Sequence, residues 1–163
     1  MIGGTMSKTI TAVIPVKQHS SRLPGKNILP FGNSNLLLHK IEQLKQVKGL
    51  TDIIVSSNTD EMLGMAEKAG VIALKRPIEY ANESVPFGEF LDYLCRVLPN
   101  EHIMWACVTS PLVEPYLYNK AINLYFEKLK EGYDSLITCL PCQSFYMDEK
   151  GPINYSIGLN HLN

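Results

Sequence analysis

No stretch of this sequence approaches the roughly 20 consecutive apolar residues of a membrane-spanning helix. Excess charge is also missing. Lys and Arg total 15 against 16 Asp and Glu, a net charge of −1. That excludes a binder of nucleic acid or anionic membrane working by bulk positive charge, while leaving room for a local basic pocket. Residues 1–8 hold no apolar core of signal-peptide length, so the expected compartment is the cytoplasm. The four cysteines are then expected as thiols. Internal repeats, low-complexity tracts and linkers are absent as well. With 45% apolar and 19% charged residues, the composition is wrong for disorder. A length of 163 residues fits about one domain, large enough to bury a core without staples.

What is present is an alternation of short apolar runs with amphipathic stretches. Residues 10–16 form an apolar, β-branched run that reads as a buried strand. A polar segment to about residue 35 leads into a helix with Leu37, Ile41, Leu44 and Val47 on one face. Residues 52–57 predict a second strand, and Thr59 is placed to cap a helix that stops at Gly70. Residues 71–74 predict a third strand. Phe87, Phe90, Leu91, Leu94, Val97 and Leu98 then form a helical stripe. A fourth strand is expected over 103–108, a helix opening at Pro115, and a fifth strand over 133–140. Strand and helix in alternation with short connections imply a mainly parallel sheet with helices on both faces. Ligands of such sheets bind beyond the carboxyl ends of the strands.

The loop after the first strand, residues 17–27, concentrates Lys17, Arg22 and Lys26 with Ser20, Ser21 and Gly25. Backbone N–H groups and cations in such a loop suit a triphosphate. Arg22 can grip two oxygens at once, and Lys26 acts as a point charge. A solvated basic loop is the alternative. The loop is not a Walker A motif, because the required glycines before the lysine are missing.

Three blocks carry a family resemblance. Ile14-Pro15, residues 20–27 and Phe31-Gly32 form the first. Arg76-Pro77 with Tyr80-Ala81-Asn82-Glu83 is the second, and Thr109-Ser110-Pro111-Leu112 the third. In this order and spacing the chain resembles the sugar-acid cytidylyltransferases: the acylneuraminate (CMP-sialic acid) synthetases and the related CMP-Kdo synthetases. Ser-Arg-Leu-Pro-Gly-Lys is similar to the Kdo branch, and Asn27 after Lys26 to the acylneuraminate branch.

The resemblance implies a three-layer α/β/α nucleotide-diphospho-sugar transferase fold, Rossmann-like, incomplete at its C-terminal side. It implies transfer of CMP from CTP to a nonulosonic-type sugar acid, with release of pyrophosphate, for surface polysaccharide synthesis. Arg22, Lys26 and Asn27 would be the catalytic set. Nucleotide contacts would come from Ile14, Pro15, Val16, Lys17, Ser20, Ser21, Arg22, Lys26, Arg76 and Glu83. Thr109 and Ser110 would line the junction of sugar and nucleotide, a helix-start turn being the alternative for that block. Mg²⁺ would be the cofactor, with its carboxylate ligands in a segment this chain does not contain. A homodimer is implied for the full-length protein, and neither nucleic acid nor membrane is an expected partner. By this reading residues 1–8 are a leader or tag remnant, 9–142 the nucleotide-binding domain, and 143–163 the start of a dimerisation segment.

The sequence departs from the family pattern in three ways. Lys17 stands where the acylneuraminate synthetases usually have Arg, Glu83 where Asp is usual, and Cys107-Val108 where Gln-Pro is usual. A thiol is a poor replacement for the hydrogen-bonding amide of Gln, so the sugar or its readout is expected to differ. Cys139 and Cys142 have redox spacing but no helical stripe after them, and buried or edge thiols are the expectation. His39, His102 and His161 show no ligand spacing. Two alternatives stay open: a nucleotide-binding domain without turnover, or a related nucleotidyltransferase with a different acidic sugar or acceptor.

Overall fold

A computed structural model describes residues 9–18, 23–82, 84–141 and 144–156. The expected leader, residues 1–8, lies outside them, as does the end of the chain from residue 157.

Strand β1 (Ile10–Pro15) is buried on both faces, which is why its sequence is a nearly continuous apolar run, interrupted by Thr11, rather than an alternating one. Helix α1 (Leu36–Lys45) follows a two-residue hairpin of Pro30–Phe31 with Ser34–Asn35. Then come β2 (Asp52–Ser57), α2 (Asp60–Lys68) and β3 (Ile72–Lys75). After a 3₁₀ turn at Ile78–Ala81 the chain forms α3 (Phe87–Val97), β4 (His102–Trp105) and α4 (Pro115–Lys130). Thr59 caps α2 as expected, its side-chain oxygen accepting from the Met62 N–H at 3.4 Å. Gly70 ends that helix at φ +72°, a left-handed turn that suits glycine. Pro115 stands in the first turn of α4, where its missing N–H is no loss.

All four strands are parallel, in the order β3-β2-β1-β4. Val13 of β1 lies between Ile54 and Trp105 in register. The helices cover both faces. Leu37, Ile41 and Leu44 of α1, Met62 and Ala66 of α2 and Ile122 of α4 pack with Ile10, Ala12 and Ile14 in one core. Phe90 and Leu94 of α3 pack with Val13 and Ile54 in the other. Successive β1 side chains therefore feed opposite cores, and the result is three layers.

The expected fifth strand over 133–140 does not form. The segment is irregular and open to solvent, with Ile137 83% and Leu140 92% exposed. Its apolar content gave the right local signal, but a strand also needs a ladder partner, and no described segment pairs with it. Residues 147–152 form a small hairpin, Met147–Asp148 with Gly151–Pro152, turned by Asp148 Oδ1 accepting from the N–H groups of Lys150 and Gly151.

Candidate active site

The chain runs outward from β1 to β2 and β3, then returns to place β4 on the other side of β1. That makes the carboxyl ends of β1 and β4 the topological switch point, where open α/β sheets leave a crevice for ligands. The loops that leave these two ends are 16–29 and 106–114, and they carry the first and third sequence blocks.

Toward β4 the register of β1 ends at Val13 opposite Trp105, with Ala106 N–H donating to the Val13 carbonyl at 2.9 Å. Pro15, with no N–H to give, sits two residues further on, where the proline removes no bond from that ladder. Ile14 and Val16 turn their side chains into the core, and Val16 N–H is taken by the Ser56 carbonyl at 3.0 Å. Their side chains are closed to a ligand. Lys17 and Lys26 are half-buried. Lys26 lies in a helical turn at 23–29, where the Gly25 carbonyl accepts from Ile28 at 2.9 Å and Gly25 itself has φ +65°. Asn27 is buried there. Its amide donates to the Lys17 carbonyl at 3.0 Å, and its own carbonyl accepts from Leu37 N–H at 3.0 Å. Asn27 thus closes the loop on itself and fastens it to the start of α1. Ser20, Ser21 and Arg22 of the same loop, with His19, lie outside the described residues, as does Glu83 of the second block.

Arg76 follows β3 and is only 4% exposed. Its guanidinium donates to Ser56 twice, Nε to the hydroxyl at 3.2 Å and Nη2 to the carbonyl at 2.7 Å. The same group lies 4.3 Å over the ring of Phe90. Burial pushes its pKa down to about 10, with Tyr93 pulling the other way, so it stays charged at neutral pH. This geometry fixes the loop between β3 and α3.

Thr109 and Ser110 are exposed, in a turn in which Ser110 N–H donates to the Cys107 carbonyl at 3.3 Å. The helix begins five residues later, at Pro115, so this turn is not a helix start. The main chain of the turn is gripped from beneath by three side chains of α1. Lys40 Nζ donates to the Ser110 carbonyl at 2.8 Å and to the Tyr118 hydroxyl at 2.7 Å. The Pro111 carbonyl accepts from His39 Nε2 at 2.9 Å and from the Gln43 amide. Cys107 is half-buried, and its sulfur accepts from the Trp105 indole N–H at 3.1 Å. Sequence reasoning gave His39 no role and passed over Lys40 and Gln43. A signal existed: Lys40 stands three residues after Leu37 and four before Leu44, within the apolar stripe of the helix.

Cys139 is exposed, and Cys142 lies outside the described residues. Among the described residues no three His, Cys, Asp or Glu side chains converge as a metal site. No described helix is long and apolar enough to cross a membrane.

The sequence model of the cytidylyltransferase family matches residues 11–150. Among curated proteins, an 8-amino-3,8-dideoxy-manno-octulosonate cytidylyltransferase of Shewanella piezotolerans is 26% identical over 116 residues, 71% of this chain and 47% of that protein. The same enzyme of Shewanella putrefaciens is 24% identical over 131 residues, 77% of this chain and 53% of the relative. The chain thus spans about half the length of these curated relatives. Among solved structures, a CMP:2-keto-3-deoxy-manno-octonic acid synthetase complexed with CTP superposes with a TM-score of 0.65 at 19% identity, over 74% of this chain and 48% of the other. A 4-diphosphocytidyl-2C-methyl-D-erythritol synthase of Anaerococcus prevotii gives 0.64 at 15% identity, over 94% and 65%. These likenesses establish a shared nucleotidyltransferase fold. With the family match running through both loops at the switch point and most of the chain around them, the chain belongs to the cytidylyltransferase family.

Proposed function

We propose that this chain carries the nucleotide-binding half of an enzyme that transfers CMP from CTP to a sugar acid. The observation that carries this reading is the family match over residues 11–150, which spans the switch-point loops. The relatives are named for acids of the octulosonate class, which makes an octulosonate the first acceptor to test beside a nonulosonic acid. In the reaction an anomeric oxygen of the acid attacks the α-phosphorus of CTP. The new O–P bond forms as the bond from the α-phosphorus to the bridging oxygen breaks, the anomeric hydroxyl gives its proton to solvent, and pyrophosphate leaves with the electron pair. The work of the protein is positioning and charge stabilisation.

In this reading Arg22 and Lys26 take the triphosphate, and Asn27 holds the loop that presents them. Main-chain groups near Ile14, Pro15 and Val16 face the base, with Lys17, Ser20, Ser21 and Glu83 around the nucleotide. Arg76 acts by fixing its loop. Thr109 and Ser110 face the acid. The described residues do not assemble a site for the expected Mg²⁺. Mg²⁺ enters as the partner of the triphosphate. The cytoplasm and a homodimer of the full-length protein remain part of the proposal.

Thermal unfolding with Mg²⁺ and CTP, beside UTP, GTP and ATP, tests the reading. A ligand held only by the folded state at 100 times its Kd stabilises by about 2.7 kcal/mol. A rise confined to CTP is expected, with pyrophosphate release once an octulosonate is added. Lys26→Ala and Arg22→Ala are each expected to weaken CTP binding at least tenfold while leaving Tm unchanged. A rise with no pyrophosphate release would identify a CTP-binding domain without turnover. No CTP-selective rise would overturn the assignment of the pocket.

A further inference from the structure

Lys40 has no exposed surface, and among the described residues no carboxylate pairs with it. A buried ammonium is costly, and at a core-facing helix position Leu or Met would fill the space at no such cost. What Lys40 does with its charge is specific. It reaches the main-chain carbonyl of Ser110 and the hydroxyl of Tyr118, from α1 to the start of α4. His39 and Gln43, neighbours on the same helix, take the next carbonyl of the same turn. The main chain of the turn is held from below while the side chains of Thr109 and Ser110 stay open to solvent. The other switch-point loop is fastened to α1 separately, through Leu37 N–H and the Asn27 carbonyl. One helix therefore holds both loops, through different residues.

We propose that Lys40 is a positioning residue that sets the loop 109–111 for the sugar acid and leaves the nucleotide loop alone. The proposal rests on the reading of that loop as the acceptor side. It predicts a split that a merely structural lysine would not give, since loss of general packing would weaken both substrates together.

The test compares the protein with Lys40→Met and Tyr118→Phe, the second removing one of the two partners of the ammonium. Three quantities are measured: CTP affinity by calorimetry, KM and kcat for 8-amino-3,8-dideoxy-manno-octulosonate or 3-deoxy-manno-octulosonate by pyrophosphate release, and hydrogen exchange of the Ser110 amide, which the turn holds to the Cys107 carbonyl. For Lys40→Met the acceptor KM is expected to rise at least tenfold with CTP affinity within twofold. Exchange of the Ser110 amide is expected to quicken at least tenfold while the amides of β1 keep their protection. Tyr118→Phe is expected to move the same quantities the same way by less, and it carries the comparison if Lys40→Met does not fold. Unchanged acceptor KM and exchange would overturn the proposal, as would equal losses for CTP and acceptor. Absence of pyrophosphate release by the unaltered protein would sink the functional reading instead. The exchange rate of the Ser110 amide would then decide the role of Lys40 alone, quickened supporting it and unchanged overturning it.

Discussion

Arg76 and Lys40 keep their charges below the surface, and each is held by carbonyl and hydroxyl oxygens. For Arg76 the planar fork matters, because Ser56 receives two of its N–H groups and Phe90 its face. Arg76→Lys keeps the charge and loses the fork. It is expected to lower the unfolding free energy by about 1.5–3 kcal/mol, read from urea unfolding, since hydrogen bonds to charged groups contribute on that scale. Unchanged stability would mean that the fork does no more than a point charge. For Lys40, burial lowers the pKa from 10.5 to about 8, with the Cys107 thiol pulling the other way. Between those values the unfolded chain binds a proton that the folded chain does not, so stability from this group rises with pH. Relative to Lys40→Met, the unaltered protein should gain stability from pH 8 to 10 and show a flat difference from pH 6 to 7.5. A relative loss across the upper window would refute the assignment. Both residues were visible in the sequence to different degrees. Arg76 is singled out by its motif, as a nucleotide contact. Lys40 stood inside an apolar stripe that reads as core, and nothing local says which distant carbonyl a lysine there will find.

The elements themselves were legible where the signal is local. Strand β2 has the expected bounds, and Thr59, Gly70 and Pro115 mark helix ends as their chemistry requires. The start of α1 was less legible. Its cap is Asn35, whose Oδ1 accepts from Leu38 N–H at 2.9 Å, at the end of a polar stretch containing several equally good capping residues. Asn35→Ala is expected to lower stability by about 1 kcal/mol. Because α1 carries the contacts to both Asn27 and the loop 109–111, faster amide exchange at both loops should accompany the loss. A stability loss with neither loop altered would separate the helix from the site. The segment 133–140 marks the opposite case. Its residues suit a strand, but pairing is a long-range event that composition does not encode.

At the scale of the whole molecule, the order β3-β2-β1-β4 explains why three sequence blocks far apart in the chain belong to one sheet end. Each block follows a strand at its carboxyl end, and parallel strands bring those ends to the same side. That much follows from the alternation of strand and helix; the inner side of the site, where α1 grips the main chain, does not. The same topology puts β1 inside the sheet with side chains in both cores, Ile14 facing one and Val13 the other, as Val55 and Ile54 of β2 do. Unfolding should therefore be a single cooperative event governed by β1 and indifferent to the segment 133–140. Ile14→Ala is expected to cost about 2–5 kcal/mol, the range for deleting a fully buried aliphatic side chain. Ile137→Ala, 83% exposed, should stay within about 0.5 kcal/mol. Urea unfolding followed by fluorescence of Trp105, which packs against Phe90 beside the second core, reads both. A cost above about 1 kcal/mol for Ile137→Ala, beyond the usual range for surface positions, would mean that the segment is covered in solution. A concentration-dependent midpoint would then identify the cover as a second copy of the chain.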